Sequence, residues 1–303
     1  MSVPRRRFLG QSAALAAGMV ASASSPAPAL PTVSLGKHRV TRLIVGANPF
    51  YGYSHFNRLL DQHMREWFTP ERVCATLRQC EQAGINTWQF SEGGRGIADL
   101  ERYRAEGGKL QAILLSGRTV EEDLSLIPKY AKLGLIGIVH HGGTTDRRWR
   151  AGEQDKIRDF LRAVRDSGVL VGLSTHNPLV VETTTEQNWD LDFYMTCVYR
   201  VTRPVEETQK LLGQAPLGEV YLPGDPPRMY QAIRQTRKTC LAFKILAAGR
   251  RTDSPQEVER AFRSAFDGIK PQDAVIVGMY PRYTEQARAN ADLVRRLLLK
   301  PVS

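Results

Sequence analysis

The stretch Ile85–Gly96, INTWQFSEGGRG, starts as a buried strand and ends in a polar turn: β-prone residues lead up to Gln89, then Ser91, Glu92 and three glycines follow. Just before it, Thr69–Gly84, TPERVCATLRQCEQAG, follows helix grammar, with Thr at the cap, Pro in the first turn, Glu nearby and Gly at the end. Helix, strand and polar turn in that order make the unit of an α/β fold, and the unit recurs.

Apolar runs suited to parallel strands buried on both faces occur at 42–49, 85–90, 110–117, 134–141, 169–178, 192–201, 240–249 and 274–281. Amphipathic segments such as TVEEDLSLIPKYAKLG, DKIRDFLRAVRDSG, SPQEVERAFRSAFDG and TEQARANADLVRRLLL fill most of the gaps. The alternation predicts an α/β fold of (β/α)8 barrel type. A doubly wound open sheet is the rival, but ANPFYGYSHFN follows the first strand where a glycine-rich dinucleotide turn would stand. In a barrel, residues Pro49–Thr69 form the first loop on the active-site face.

Residues 1–30 read as a leader and spacer, and 31–303 as a single barrel domain. Arg5-Arg6-Arg7-Phe8-Leu9 fits a twin-arginine signal, followed by an Ala-rich segment and small residues suited to cleavage between Ser24 and Pro31. The expected partner in export is the twin-arginine translocase, and the expected location is periplasmic or otherwise exported. The apolar segment falls short of the roughly 20 residues a stable membrane anchor needs. Roughly 270 residues remain, enough for one large α/β barrel or two small domains. The formal net charge is +11, three units of which come from Arg5, Arg6 and Arg7. The rest lies on helices with acids interleaved, as in DRRWRAGEQDKIRDFLRAVRD, which reads as a solvated face with no nucleic-acid track. Cys74, Cys80, Cys197 and Cys240 show no C-x-x-C spacing, and export leaves a disulfide open.

The carboxyl ends of barrel strands converge on one pocket. Here those ends carry Asn48, with His55 in the first loop; Gln89 and Glu92; Ser116 and Arg118; His140 and His141; His176 and Asn177; Tyr199 and Arg200; and Lys244. Four of the six histidines fall on this face. Each has a structural explanation as well. Strand alternation turns one of His140 and His141 inward and the other outward. His176 and Asn177 could cap a turn before Pro178, His55 could be a surface residue, and Glu92 a solvated one. Lys244, inside an apolar strand, needs a partner or a lowered pKa.

Together these segments resemble the aldo/keto reductase superfamily across nearly the whole chain after the leader. LGKHRVTRLIVGAN looks like the family's opening hairpin and first strand, and CEQAGINTWQF like its A-x-x-x-G-I-N-x-x-D strand. LIGIVHH is similar to the strand ending in the catalytic His, and RDSGVLVGLSTHNP to the strand that ends in Ser-Asn. AVIVGMYPRYTEQARANADLV resembles the segment that grips the adenosine phosphate of NADP, with Gly278, Arg282, Gln286 and Asn290 at the corresponding positions and two extra residues before Asn290. The resemblance implies a small carbonyl or sugar-like substrate and a nicotinamide cofactor. The family's proton donor is a Tyr tuned by Lys and Asp; here Gln89 holds the Asp position, Gly94 or Arg95 the Tyr position, and Ser116 or Gly117 the Lys position. The His alone is kept, as His140 or His141.

Two functions follow, with a slight lean to the first. One is a divergent redox step with NADP, using Gln89, His140 or His141, His176, Glu92 and Lys244 as catalytic candidates and Asn48, His55, Asn177 and Tyr199 around the substrate. The other is a lyase, isomerase or hydrolase in which those histidines and Glu92 act as acid and base or hold a divalent metal. A non-catalytic binding barrel is a third reading.

Overall fold

The computed structural model describes residues 27–299. Apart from residues 27–30, the expected leader lies outside them. Leu30, expected in the spacer, is buried in the core, and Arg295 Nε donates to Pro28 O at 2.6 Å.

Two short antiparallel strands, β1 (Thr32–Leu35) and β2 (His38–Thr41), precede eight parallel ones: β3 (Leu43–Gly46), β4 (Thr87–Ser91), β5 (Gln111–Leu115), β6 (Gly137–His140), β7 (Leu170–Thr175), β8 (Phe193–Cys197), β9 (Thr239–Phe243) and β10 (Ala274–Gly278). The eight pair in sequence order, and β10 returns to β3, closing the barrel. The (β/α)8 reading of the apolar runs therefore stands.

Alternation along each strand divides the core in two. Val45, Trp88, Leu114, Ile138 and Leu173 face the helices, whereas Ile44, Ile113, Val139, Phe193, Met195, Leu241 and Ile276 fill the barrel. Val33, Leu35 and Val40 of the hairpin belong to the inner cluster, so the hairpin plugs the amino-terminal end. Its edges are fastened there: Asn86 Nδ2 and Gln111 Nε2 both donate to Arg39 O. Gly137 and Gly172 give the Phe193 ring its room, since a Cβ at either would come within 3.1 Å or 2.7 Å of it.

Helix caps follow the sequence: Thr69 and Ser254 each accept a backbone N–H from the first turn. Three segments differ from expectation. The first loop contains a helix, Arg58–Trp67, capped by Asn57. The segment 119–134 is not one helix; Asp123 adopts extended backbone and accepts from Ser125 N, splitting it into Arg118–Glu122 and Ile127–Ala131 with a 3-10 turn between. The charged run from residue 146 belongs to two helices, Gly142–Arg150 and Gln154–Asp166, and its first acid, Asp146, is buried. All four cysteines are buried and free. Among the described residues no helix is long and apolar enough to cross a membrane.

Candidate active site

The helix Gly142–Arg150 starts directly after β6, so its first turn lies against the end of β7. Gly142 is what permits this: a Cβ there would stand 2.8 Å from Ser174 Oγ and 3.0 Å from His176 Cε1. One turn on, Asp146 reaches His176. Its Oδ2 accepts from His176 Nδ1 at 2.8 Å, His176 N at 3.0 Å and Thr202 Oγ1 at 2.7 Å, while Oδ1 accepts from Thr175 Oγ1. Burial works to raise the Asp146 pKa, but the hydrogen bond and charge of His176 and the two threonine hydroxyls overrule it and hold the carboxyl below its ordinary value. An ionised carboxylate only accepts, so the proton of neutral His176 sits on Nδ1 and Nε2 carries the free lone pair. Among the described residues Nε2 has no partner, and it is not sealed from solvent.

His141, at the end of β6, faces the same mouth. Its pKa is depressed to about 4, by burial first and then by the positive charges of His176, Lys244 and His55, with Asp146 opposing. Lys244, just past β9, has φ of +101°, a region L-residues avoid, and Ala247 and Ala248 follow at +49° and +51°. Such backbone costs about 1–3 kcal/mol per residue and collects at functional sites. Lys244 Nζ makes no hydrogen bond or ion pair among the described residues; its charge is felt by His141, Glu219 and Cys197.

Two loops meet above this cluster. His55, also left-handed at φ +56°, places Nδ1 2.7 Å from Glu219 Oε1 and takes a hydrogen bond on Nε2 from Asn48 Nδ2 at 3.2 Å. Tyr221 donates to Glu219 Oε2 at 2.8 Å, and Arg250 stacks over both Tyr221 and Phe56. Burial would raise the Glu219 pKa, but His55, Lys244 and Tyr221 bring it down to about 2. Asn48 and His55 thus stand at the rim. Tyr199 lies beneath Tyr221, ring centroids 5.1 Å apart, and supports the upper loop.

The remaining candidates are placed elsewhere. His140 points outward, as alternation requires: Nδ1 pairs with Thr145 Oγ1 at 2.6 Å and the ring packs edge-on against Phe160 of the helix layer. Glu92 accepts from Gly117 N at 2.7 Å and Val120 N at 3.3 Å, so it caps the helix Arg118–Glu122. Gln89 lies on the inward-facing row of β4 and spends Nε2 on Phe90 O. Asn177 caps the helix Pro178–Glu186 through Leu179 N. Among the described residues no three His, Cys, Asp or Glu side chains converge as a metal ligand set.

The four nicotinamide candidates lie around β10. Gly278 is needed for packing, because a Cβ there would meet Pro49 at 2.8 Å. Gln286 Oε1 accepts from Tyr280 N, and Asn290 is buried on the inner side of its helix. Arg282 is exposed; it donates to His63 Nε2 at 2.7 Å and lines a surface pocket of about 440 Å³ with Glu66, Trp67, Arg72 and Tyr283. Arg282 therefore fits an anionic cofactor group, whereas Gly278 and Asn290 have internal roles.

Asp146, Thr202, Glu219 and Tyr221 join this candidate site and were not found by sequence reasoning. For Asp146 the available signal was its position one turn beyond a strand-ending His-His-Gly-Gly.

No protein-family model matches the chain, and no curated protein matches it. Solved structures share its fold. Gox0644 in its apo form aligns with a TM-score of 0.55 at 10% identity, over 89% of this chain and 94% of that one. An aldo/keto reductase from Brucella melitensis aligns at 0.54 and 12%, over 88% and 93%. A truncated 3-deoxy-D-arabino-heptulosonate 7-phosphate synthase from Thermotoga maritima aligns at 0.50 and 15%, over 89% and 92%. Likeness to a reductase and a synthase alike, at such identities, makes this chain a (β/α)8 barrel similar to enzymes of differing chemistry.

Proposed function

We propose that the protein is an acid–base enzyme acting on a small carbonyl or sugar-like molecule at the barrel mouth. One observation carries the reading: His176 presents a bare Nε2 while Nδ1–H is fixed on a buried, ionised Asp146. That is the arrangement of a general base. Nε2 takes a proton from a carbon next to a carbonyl, the electron pair moves onto the carbonyl oxygen, and Asp146 stabilises the imidazolium. The Lys244 ammonium, held in strained backbone near His141, supplies positive charge where the oxygen becomes an oxyanion. Return of the proton to the same or a neighbouring carbon gives an isomerase or epimerase; expulsion of a β-leaving group gives a lyase.

The test is deuterium uptake from D₂O at the α-carbon of hydroxy-aldehydes, ketoses and keto acids, followed by NMR. His176→Asn should slow uptake by about 10²–10⁴-fold with the fold intact by circular dichroism. Equal uptake in wild type and variant would end the reading.

A second reading, nicotinamide-dependent redox chemistry, is favoured by Arg282 and its pocket. When bound, the cofactor would supply hydride; Arg282 would hold its phosphate, and His176 would manage the substrate proton. Fluorescence titration with NADPH decides it: binding that weakens in Arg282→Ala supports it, and an unchanged signal into the millimolar range removes it.

We further infer that the protein works outside the cytoplasmic membrane, delivered by the twin-arginine translocase; Arg5 and Arg6 carry this inference.

A further inference from the structure

A cavity of about 300 Å³ opens beside His176, between the ends of β7 and β8 and the first turn of the helix Asp225–Gln235. That volume is at the small end of ligand sites. Its charged lining is uneven: Arg200, Arg203 and Arg228 face a single acid, Asp225.

The three arginines are not equivalent. Arg228 is clamped by both oxygens of Glu182 at 2.6 Å, and Arg200 is held by Glu207. Arg203 is different. Its side chain is 7% exposed, and its one hydrogen bond runs from Nη2 to Asp225 Oδ1. Glu207 Oε1 is 3.4 Å from Nε, yet among the described residues Nε and Nη1 both lack a hydrogen-bonded partner. Asp225 has no oxygen to spare, since Oδ2 accepts from Arg200 N. Buried donors left unsatisfied are costly, more so on a charged group, so native proteins leave few of them. The helix above offers little else to an incoming anion, because Pro226 and Pro227 carry no N–H and Asp225 N is spent on Leu222 O. The guanidinium must act.

The geometry points to a small acidic substrate. Its carboxylate or phosphate is received by Arg203, which turns its unpartnered Nε–Nη1 edge toward the anion on binding, and its reacting carbon lies toward His176 Nε2. This rests on the acid–base reading above and narrows it, since a carboxylate or phosphate set beside the carbonyl distinguishes keto acids and sugar phosphates from neutral sugars. The planar fork of Arg203 suits either anion.

Binding without turnover tests this independently of the chemistry. Malonate and inorganic phosphate are titrated separately into the full chain by calorimetry, with the His176 ring signals followed by NMR. Millimolar or tighter binding of at least one, with a shift at His176, is expected; which one binds tells carboxylate from phosphate. Arg203→Gln should weaken it by about tenfold or more. Should that variant not fold, Arg203→Lys keeps the charge but loses the fork, and should also weaken binding. Arg162→Gln, at an exposed position of the helix Gln154–Asp166 that lines neither pocket, should change nothing. Absence of binding, equal binding in the folded Arg203 variant, or loss of it in Arg162→Gln would overturn the assignment. If His176→Asn leaves deuterium uptake unchanged while Arg203-dependent binding persists, the acid–base reading falls and the anion site stands.

Discussion

The two ends of this barrel are built by opposite rules. At the amino-terminal end, Val33, Leu35 and Val40 of the hairpin close over Ile44, Phe193 and Leu241, and buried apolar surface dominates, with hydrogen bonds to Arg39 O at the hairpin's edge. At the carboxyl end, histidines, a lysine and two carboxylates crowd together, and His55, Lys244, Ala247 and Ala248 all take left-handed backbone. One end gains stability from every residue; the other gives some up. Strain and like charges persist only where the surrounding structure overrules them.

Substitutions should therefore have opposite signs at the two ends. The largest effect belongs to the filled end: Phe193→Ala should lower unfolding free energy by about 3–5 kcal/mol, read from urea denaturation, with activity per folded molecule little changed. Lys244→Gly comes next. Removing the side chain at φ +101° should hold stability or raise it by about 1 kcal/mol, while turnover falls about 100-fold. A clear loss of stability there would break the contrast. The smallest effect is on pH dependence. His141 is harder to protonate when folded, about 4 against an ordinary 6.5. As pH falls below 6.5 the unfolded chain takes the proton first, so stability should decline between 6.5 and 4 and level off below. His141→Gln should flatten that window in a series of urea midpoints, and an unchanged slope would show that other groups dominate it.

This division also explains what the sequence discloses. Strands buried on both faces leave continuous apolar runs, and Thr69 and Ser254 announce their helices by local hydrogen bonds. Those signals are short-range, so the (β/α)8 order was legible. His141, His176 and Lys244 were legible because barrel topology sends strand ends to one place. Which of His140 and His141 turns inward depended on the register of β6, a single-residue matter. The partners were hidden. Asp146 lies 30 residues from His176 and is followed at once by Arg147 and Arg148, so it reads as part of a solvated face. Only the close approach at Gly142 makes it buried. Glu219 meets His55 across 164 residues, with no local pattern linking them. Glu92 misled in the other direction: a carboxylate at a strand end looks like a ligand, and a helix start took it instead.

The hairpin has a consequence for traffic. With its floor filled by Val33, Leu35 and Val40, the barrel is a blind cup, and whatever enters must leave by the same door. The door is crossed by the clasp of His55 with Glu219, whose loops come from opposite halves of the chain. On the acid–base reading proposed above, product would leave by the way substrate came, past that clasp.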